Sequence, residues 1–196
     1  MASSDAAWVS LLAPLPAATL AELCRDIEAV FRINPYYYFK SWRQTGPDAY
    51  AMEFENQSNA TSNTANIQVS AVAAEGFTVS YDRGIKKRTV FTIEPAPQGS
   101  RLTLTDDYES IPESERAQRL PEVDRSLQAW GEALQLYFQR QKRWSWLPGW
   151  RWYLRRAWIP MKPSARRIVW MIYLITAAEF VFFVFIILIW WSEHRG

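Results

Sequence analysis

The sequence has one cysteine, Cys24, and one histidine, His194, among its 196 residues. A disulfide framework needs paired cysteines, and a zinc finger or a His-rich metal centre needs clustered thiolates and imidazoles, so all three are excluded. Glycine is scarce at 7 residues, and no Gly-rich phosphate loop, nucleophile elbow or HExxH zinc motif occurs. No cofactor and no metal are expected, and the residues lean away from an enzyme. The opening residues MASSDAAW lack a basic n-region and an apolar h-region, so no signal peptide is expected. A composition that is 49% hydrophobic and 21% charged rules out a disordered or collagen-like chain.

The net charge of +2 averages two unlike parts. Residues 1–139 carry 12 Lys/Arg against 18 Asp/Glu, whereas residues 140–196 carry 10 against 2. Eight of the 11 tryptophans lie at or beyond Trp144. An acidic globular head is therefore joined to a basic, Trp-rich, apolar tail.

Residues 168–191 contain a single Asp, Glu, Lys or Arg, namely Glu179. A helix of that length, at about 1.5 Å per residue, slightly exceeds the roughly 30 Å hydrocarbon core of a bilayer. Trp170 and Tyr173 near one end, with Trp190 and Trp191 at the other, suit the headgroup level. A single transmembrane span is expected, with residues 192–196 as a short tail. Arg140, Lys142, Arg143, Arg151, Arg155, Arg156, Lys162, Arg166 and Arg167 precede it with no acid among them, so the positive-inside rule keeps the head cytoplasmic. In a bacterium this would be the inner membrane. Glu179 sits mid-span, where a carboxylate is costly; it is expected to contact a partner subunit, the alternative being a neutral acid tolerated by water or an intrahelical bond.

Residues 144–167 interleave Trp144, Trp146, Trp150, Trp152 and Trp158 with Arg151, Arg155, Arg156, Arg166 and Arg167. Alternating aromatic and basic side chains serve nucleic-acid binding in some proteins. Directly beside a span, contact with the bilayer is the better expectation: rings lie in the interface and guanidinium groups meet lipid phosphates. A third reading has some of these rings meet a partner's transmembrane helices. No nucleic-acid partner is expected.

In the head, residues 7–12 read as a short strand. Thr19 and Glu22 have capping-box spacing, and Leu20, Leu23, Cys24, Ile27 and Phe31 recur on one helical face. Cys24 belongs to that stripe and reads as a buried thiol rather than a nucleophile. From Tyr36 the period changes to two. Residues 36–43, 49–55, 65–73, 76–82, 88–94 and 101–108 form six strand candidates, divided at several points by turn signals such as Gly46-Pro47-Asp48 and Arg83-Gly84. Their apolar residues alternate onto one face, as in an antiparallel meander with one buried side. A polar stretch bounded by Pro112 and Pro121 precedes a helix expected over 122–143, whose stripe is Leu127, Trp130, Leu134, Tyr137 and Phe138.

The order strand, helix, six strands, long helix resembles the START-like superfamily of polyketide cyclases, lipid-transfer domains and coenzyme-Q-binding proteins. Ala13-Pro14-Leu15-Pro16 is similar to that family's turn after the first strand. Phe31-Arg32-Ile33-Asn34-Pro35 resembles the point where its paired short helices hand over to the second strand. The resemblance covers residues 7–143 and implies an α+β helix-grip fold: a curved antiparallel sheet around a long C-terminal helix. It also implies a deep apolar cavity for a lipid, quinone or other hydrophobic molecule. Candidate cavity residues are Tyr37, Tyr50, Met52, Phe54, Phe77, Tyr81, Phe91, Trp130, Leu134 and Phe138. Side chains this large serve equally to line a cavity or to fill it.

Three remaining groups read as ordinary surface. Asp106, Asp107 and Glu109 crowd the end of the last strand candidate; acid–base work is one reading, a solvated strand exit the favoured one. Arg83, Lys86, Lys87 and Arg88 form a basic hairpin tip, most simply a soluble turn. Asn56-Gln57-Ser58 and Asn59-Ala60-Thr61 match glycosylation acceptors, and in a cytosolic head they are polar loop. The expectation is a non-catalytic membrane-anchored module. It would be an accessory subunit of a membrane complex, a binder of a hydrophobic ligand at the cytoplasmic surface, or both. The alternative is a membrane-anchored cyclase- or hydrolase-type enzyme using Tyr37, Tyr50, Tyr81 and Asp106.

Overall fold

The computed structural model describes residues 6–72, 76–84, 86–108 and 125–194. The polar stretch between Pro112 and Pro121, Glu109, the expected helix start at Glu122 and the two chain ends (1–5 and 195–196) lie outside these residues. The chain divides into two compact units, Met1–Pro160 and Met161–Gly196.

The first unit opens with β1 (Ala6–Ala13), then α1 (Ala17–Cys24) and α2 (Ile27–Arg32). The apolar stripe expected to mark one helix runs across both, because the step from Cys24 to Ile27 keeps the helical spacing over a break in the backbone. Asp26 makes that break: its carboxylate accepts from Ala29 N at 3.2 Å and caps α2. The capping box at Thr19 and Glu22 does not form. Helix α1 begins after Pro16 at Ala17, which leaves Thr19 inside the first turn, exposed.

Six further strands follow: β2 (Tyr37–Gly46), β3 (Ala49–Asn56), β4 (Thr61–Val72), β5 (Gly76–Tyr81), β6 (Lys86–Ala96) and β7 (Gly99–Tyr108). With β1 they make one sheet in the order β1-β7-β6-β5-β4-β3-β2, antiparallel at every junction. Strand β4 begins four residues before its expected start at Ala65. The Asn/Ser/Thr-rich stretch pairs with β3, Asn56 opposite Thr61, because Asx turns fold the connection tightly. Ser58 N and Oγ donate to Asn56 Oδ1 at 2.9 and 2.7 Å, and Thr61 Oγ1 donates to Asn59 Oδ1 at 2.7 Å. The two acceptor-like motifs are thus the turn itself.

Helix α3 (Leu127–Trp144) lies against the sheet with Leu127, Trp130, Gly131, Leu134, Phe138 and Gln141 buried. Gly131 permits the approach: a β-carbon there would come within 2.8 Å of Val9 Cγ2. Trp130, fully buried, is the centre of the packing. Its ring meets Phe31 at 5.2 Å and Phe91 edge-on at 5.7 Å, and its indole N–H donates to Val30 O at 2.9 Å. Asn34 ties the helix start to the entry of β2, donating to Ser126 Oγ at 2.8 Å while accepting from Tyr36 N at 3.0 Å.

After α3 the chain continues through α4 (Trp150–Tyr153) and one π-helical turn (Leu154–Trp158). Leu154 and Ile159 are buried. Arg155 Nη2 reaches Asp26 Oδ2 at 2.7 Å, the same carboxylate that caps α2.

The second unit is α5 (Pro163–Glu193), 31 residues with an apolar side-chain surface exposed along its length. It is long and apolar enough to cross a membrane, extending about 46 Å at 1.5 Å per residue. Proline at its first position is compatible with the missing N–H there.

Candidate ligand cleft

The inner face of the curved sheet is packed over most of its area. Phe91, Trp130, Leu134 and Phe138 are fully buried against one another and their neighbours. Phe77 stacks on Phe91 with ring centroids 4.3 Å apart. Tyr50 leans on Trp42 at 5.5 Å, and burial together with the carboxylates of Asp48, Asp26 and Glu28 raises its phenol above the usual range. These six expected cavity residues serve as core and its margin. The deep cavity that the resemblance implies is thus filled where it lies under α3.

One end stays open. A cleft of about 290 Å³ is lined by Tyr37, Met52, Phe54 and Tyr81, all named from the sequence, with Asn56, Asn59, Asn63, Thr64, Arg83, Lys86 and Tyr108 among its other walls. Tyr37 and Phe54 pack with centroids 4.7 Å apart and form an aromatic floor. The opposite wall carries charge. Lys86 Nζ lies 2.8 Å from Asp106 Oδ2 as an ion pair rather than an aligned hydrogen bond, with side-chain exposures of 13% and 0%. Thr89 Oγ1 donates to Asp106 Oδ1 at 2.6 Å, so the Tyr81 hydroxyl, 3.0 Å from Thr89 Oγ1, is left as donor to it. Lys86 also reaches the Tyr37 hydroxyl at 3.5 Å and lies 5.8 Å from the Tyr81 ring centroid.

Two expectations are corrected here. Asp106 is not a solvated strand exit, and Lys86 is not part of a solvated turn. The parity of β7 contains the signal for Asp106: Leu102, Leu104 and Asp106 are every second residue and all buried, so the carboxylate falls on the inner row. Lys86 breaks the parity of β6, in which Thr89, Phe91 and Ile93 are the buried residues. A register shift between Lys86 and Arg88 supplies one extra residue and turns Lys86 inward, opposite Tyr108. A bulge of this kind leaves no trace in an alternation pattern. A buried ion pair is seldom justified by stability alone, because desolvating both charges offsets most of their attraction.

The basic segment divides in two. Trp144, Trp150 and Tyr153 stack in series at 6.2 and 6.1 Å, and Trp158 lies under Arg140 at 5.7 Å. Trp146 and Trp152 are 73% and 69% exposed, and Arg151, Arg155 and Arg156 are exposed with them. Arg166, Arg167 and Glu179 belong to the separate unit formed by α5.

Solved structures share this architecture. A START superfamily protein from Mycobacterium smegmatis superimposes with a TM-score of 0.51 at 20% identity, covering 69% of this chain and 96% of its own. An aromatase/cyclase from Streptomyces gives 0.57 at 14% identity, covering 72% and 97%. A protein from Thermus thermophilus gives 0.54 at 13% identity, covering 72% and 99%. The head has the START-type helix-grip fold. At these identities the likeness establishes the fold of the grip and nothing about what it holds. No family model and no curated protein matches the chain. Within this helix-grip head, Lys86 on the cleft wall and Asp106 behind it are a charged departure from an apolar grip.

Proposed function

We propose that the chain is a membrane-tethered binding module whose helix-grip head holds a compact hydrophobic ligand, and that it serves as an accessory subunit of a larger membrane assembly. The observation that carries the reading is the cleft at the open end of an otherwise filled grip. At about 290 Å³ it lies at the small end of the roughly 300–1,000 Å³ range of ligand sites. It therefore suits a single small molecule or one end of a longer one, and favours a ring-sized ligand over a whole lipid.

The apolar helix α5 and the cations that precede it support tethering with the head on the cytoplasmic side. The exposed Trp146 and Trp152 beside Arg151 and Arg156 support contact with anionic headgroups. Glu179, mid-span, supports a contact with a neighbouring transmembrane subunit. The buried Asp106–Lys86 pair favours a second reading, a membrane-anchored cyclase or hydrolase acting on a lipidic substrate. Tyr50 has no place in that reading, since it stands outside the cleft lining.

Native extraction in mild detergent, followed by mass spectrometry of co-purifying proteins and bound small molecules, tests the proposal. A stoichiometric set of membrane partners that is lost on Glu179→Leu is the expected result. A monomeric, ligand-free chain would overturn it.

A further inference from the structure

The cleft also specifies the kind of ligand. Among the described residues, its lining includes two cationic side chains, Arg83 and Lys86, and no carboxylate, although the head as a whole is rich in acids. Each cation has a carboxylate outside the lining: Asp106 lies 2.8 Å from Lys86 and Asp82 lies 3.7 Å from Arg83. The wall is therefore rich in donors yet close to neutral. Facing it are the ring of Phe54 and the side chain of Met52, with the Tyr37 phenol between the two surfaces, 3.5 Å from Lys86 Nζ.

From this arrangement we infer that the cleft binds a small planar molecule carrying a neutral oxygen acceptor, of the aryl or conjugated carbonyl class, with the oxygen against Lys86 and Tyr37 and the ring against Phe54 and Met52. This rests on the cleft being a ligand site. A carbonyl accepts from an ammonium or a phenol without requiring a counter-charge, and a flat body matches an aromatic floor. A carboxylate ligand would compete with Asp106 for Lys86 and sit near its negative charge, so a full anion gains nothing over the ketone. A hydrocarbon of the same shape leaves the donors of the wall without a new acceptor and buries them.

The chain has four methionines, so methyl-labelled Met gives a sparse spectrum in which Met52 reports from the cleft itself. Full-length protein in lipid nanodiscs is titrated with acetophenone, benzoate and the near-isostere ethylbenzene, free concentrations being corrected against empty nanodiscs. Acetophenone is expected to shift the Met52 signal with a Kd at least fivefold below that of ethylbenzene, and benzoate no more tightly than acetophenone. In the paired variant Lys86→Met with Asp106→Leu, which removes both charges together and so leaves neither buried alone, the preference for acetophenone should vanish while ethylbenzene still binds.

Equal binding of acetophenone and ethylbenzene by the wild type would overturn the acceptor assignment and leave the cleft as a plain apolar site. Benzoate binding tenfold more tightly than acetophenone would overturn the neutral-wall argument. Unperturbed Met52 with all three probes would overturn the assignment together with the binding reading beneath it.

Discussion

Along β6 and β7 the inward row is apolar at one end and polar at the other. Ile93 pairs with Leu102 and Phe91 with Leu104, but Thr89 pairs with Asp106, and beyond it Lys86 turns inward. The same two strands thus serve two tasks. The apolar end meets Trp130 of α3 and holds the grip together, whereas at the polar end Lys86 and Tyr108 line the cleft. The difference teaches that the same two strands are held by ring packing at one end and by paired charge and hydroxyl contacts at the other.

Trp130→Ala tests the filled end most severely. It deletes a fully buried indole, its contacts with Phe31 and Phe91, and the hydrogen bond to Val30. A loss of about 3–5 kcal/mol is expected in chemical denaturation of the detergent-solubilised chain. Tyr81→Phe, at the cleft, removes one hydroxyl and should cost about 0.5–1.5 kcal/mol. Equal losses from the two variants would erase the distinction between the ends.

Charge makes the next largest contrast. Asp106→Ala leaves the Lys86 ammonium in the cleft wall without its carboxylate and should cost about 3–5 kcal/mol. Replacing both, Lys86→Met with Asp106→Leu, should return stability to within about 1 kcal/mol of wild type or above it. If the double variant is as unstable as the single one, the pair contributes packing rather than balanced charge.

Cys24 sharpens the view of the filled end through pH. Burial raises its thiol to a pKa of about 12, whereas an unfolded thiol titrates near about 8.5. The folded state therefore keeps a proton that the unfolded state gives up. Stability from this source is constant below about pH 8.5 and falls above it by about 1.4 kcal/mol per pH unit until the folded thiol itself titrates. Cys24→Ala should lack that slope in denaturation series between pH 8 and 10, and the native thiol should resist alkylation at pH 8.

The smallest effect concerns the segment that follows α3. A double-mutant cycle on Asp26→Ala and Arg155→Ala should give a coupling of about 0.2–1 kcal/mol, since the pair is largely exposed. Asp26→Ala alone should cost about 1 kcal/mol more than Arg155→Ala, through loss of the α2 cap.

Most of the grip was legible because its signals are periodic. Alternation located the six strands after α2, and the spacing of Leu127, Trp130, Leu134 and Phe138 located the long helix with its buried face. Elements set by single polar contacts were not legible in the same way. Asp26 splits a continuous apolar stripe into two helices, and Asn56 and Asn59 draw a polar run into β4 as strand. Of the cleft, Tyr37, Met52, Phe54 and Tyr81 were among the cavity candidates that the family resemblance implied. Asp106 was readable from its parity with Leu104 but looked like surface because carboxylates usually are. Lys86 depends on a backbone irregularity whose position no side-chain pattern encodes.

That irregularity has a consequence for how such a head diverges. Deleting Lys87 would restore regular pairing and keep Lys86 on the inner row opposite Tyr108, because Thr89 faces inward and Arg88 outward; closing the bulge at full length would instead bring Lys87 to that row. A lineage could thus gain or lose the irregularity and still present a lysine ammonium to Asp106, with every strand and the whole core around Trp130 kept. The adjacent lysines at 86 and 87 make the charge of the inner row insensitive to chain length at this point.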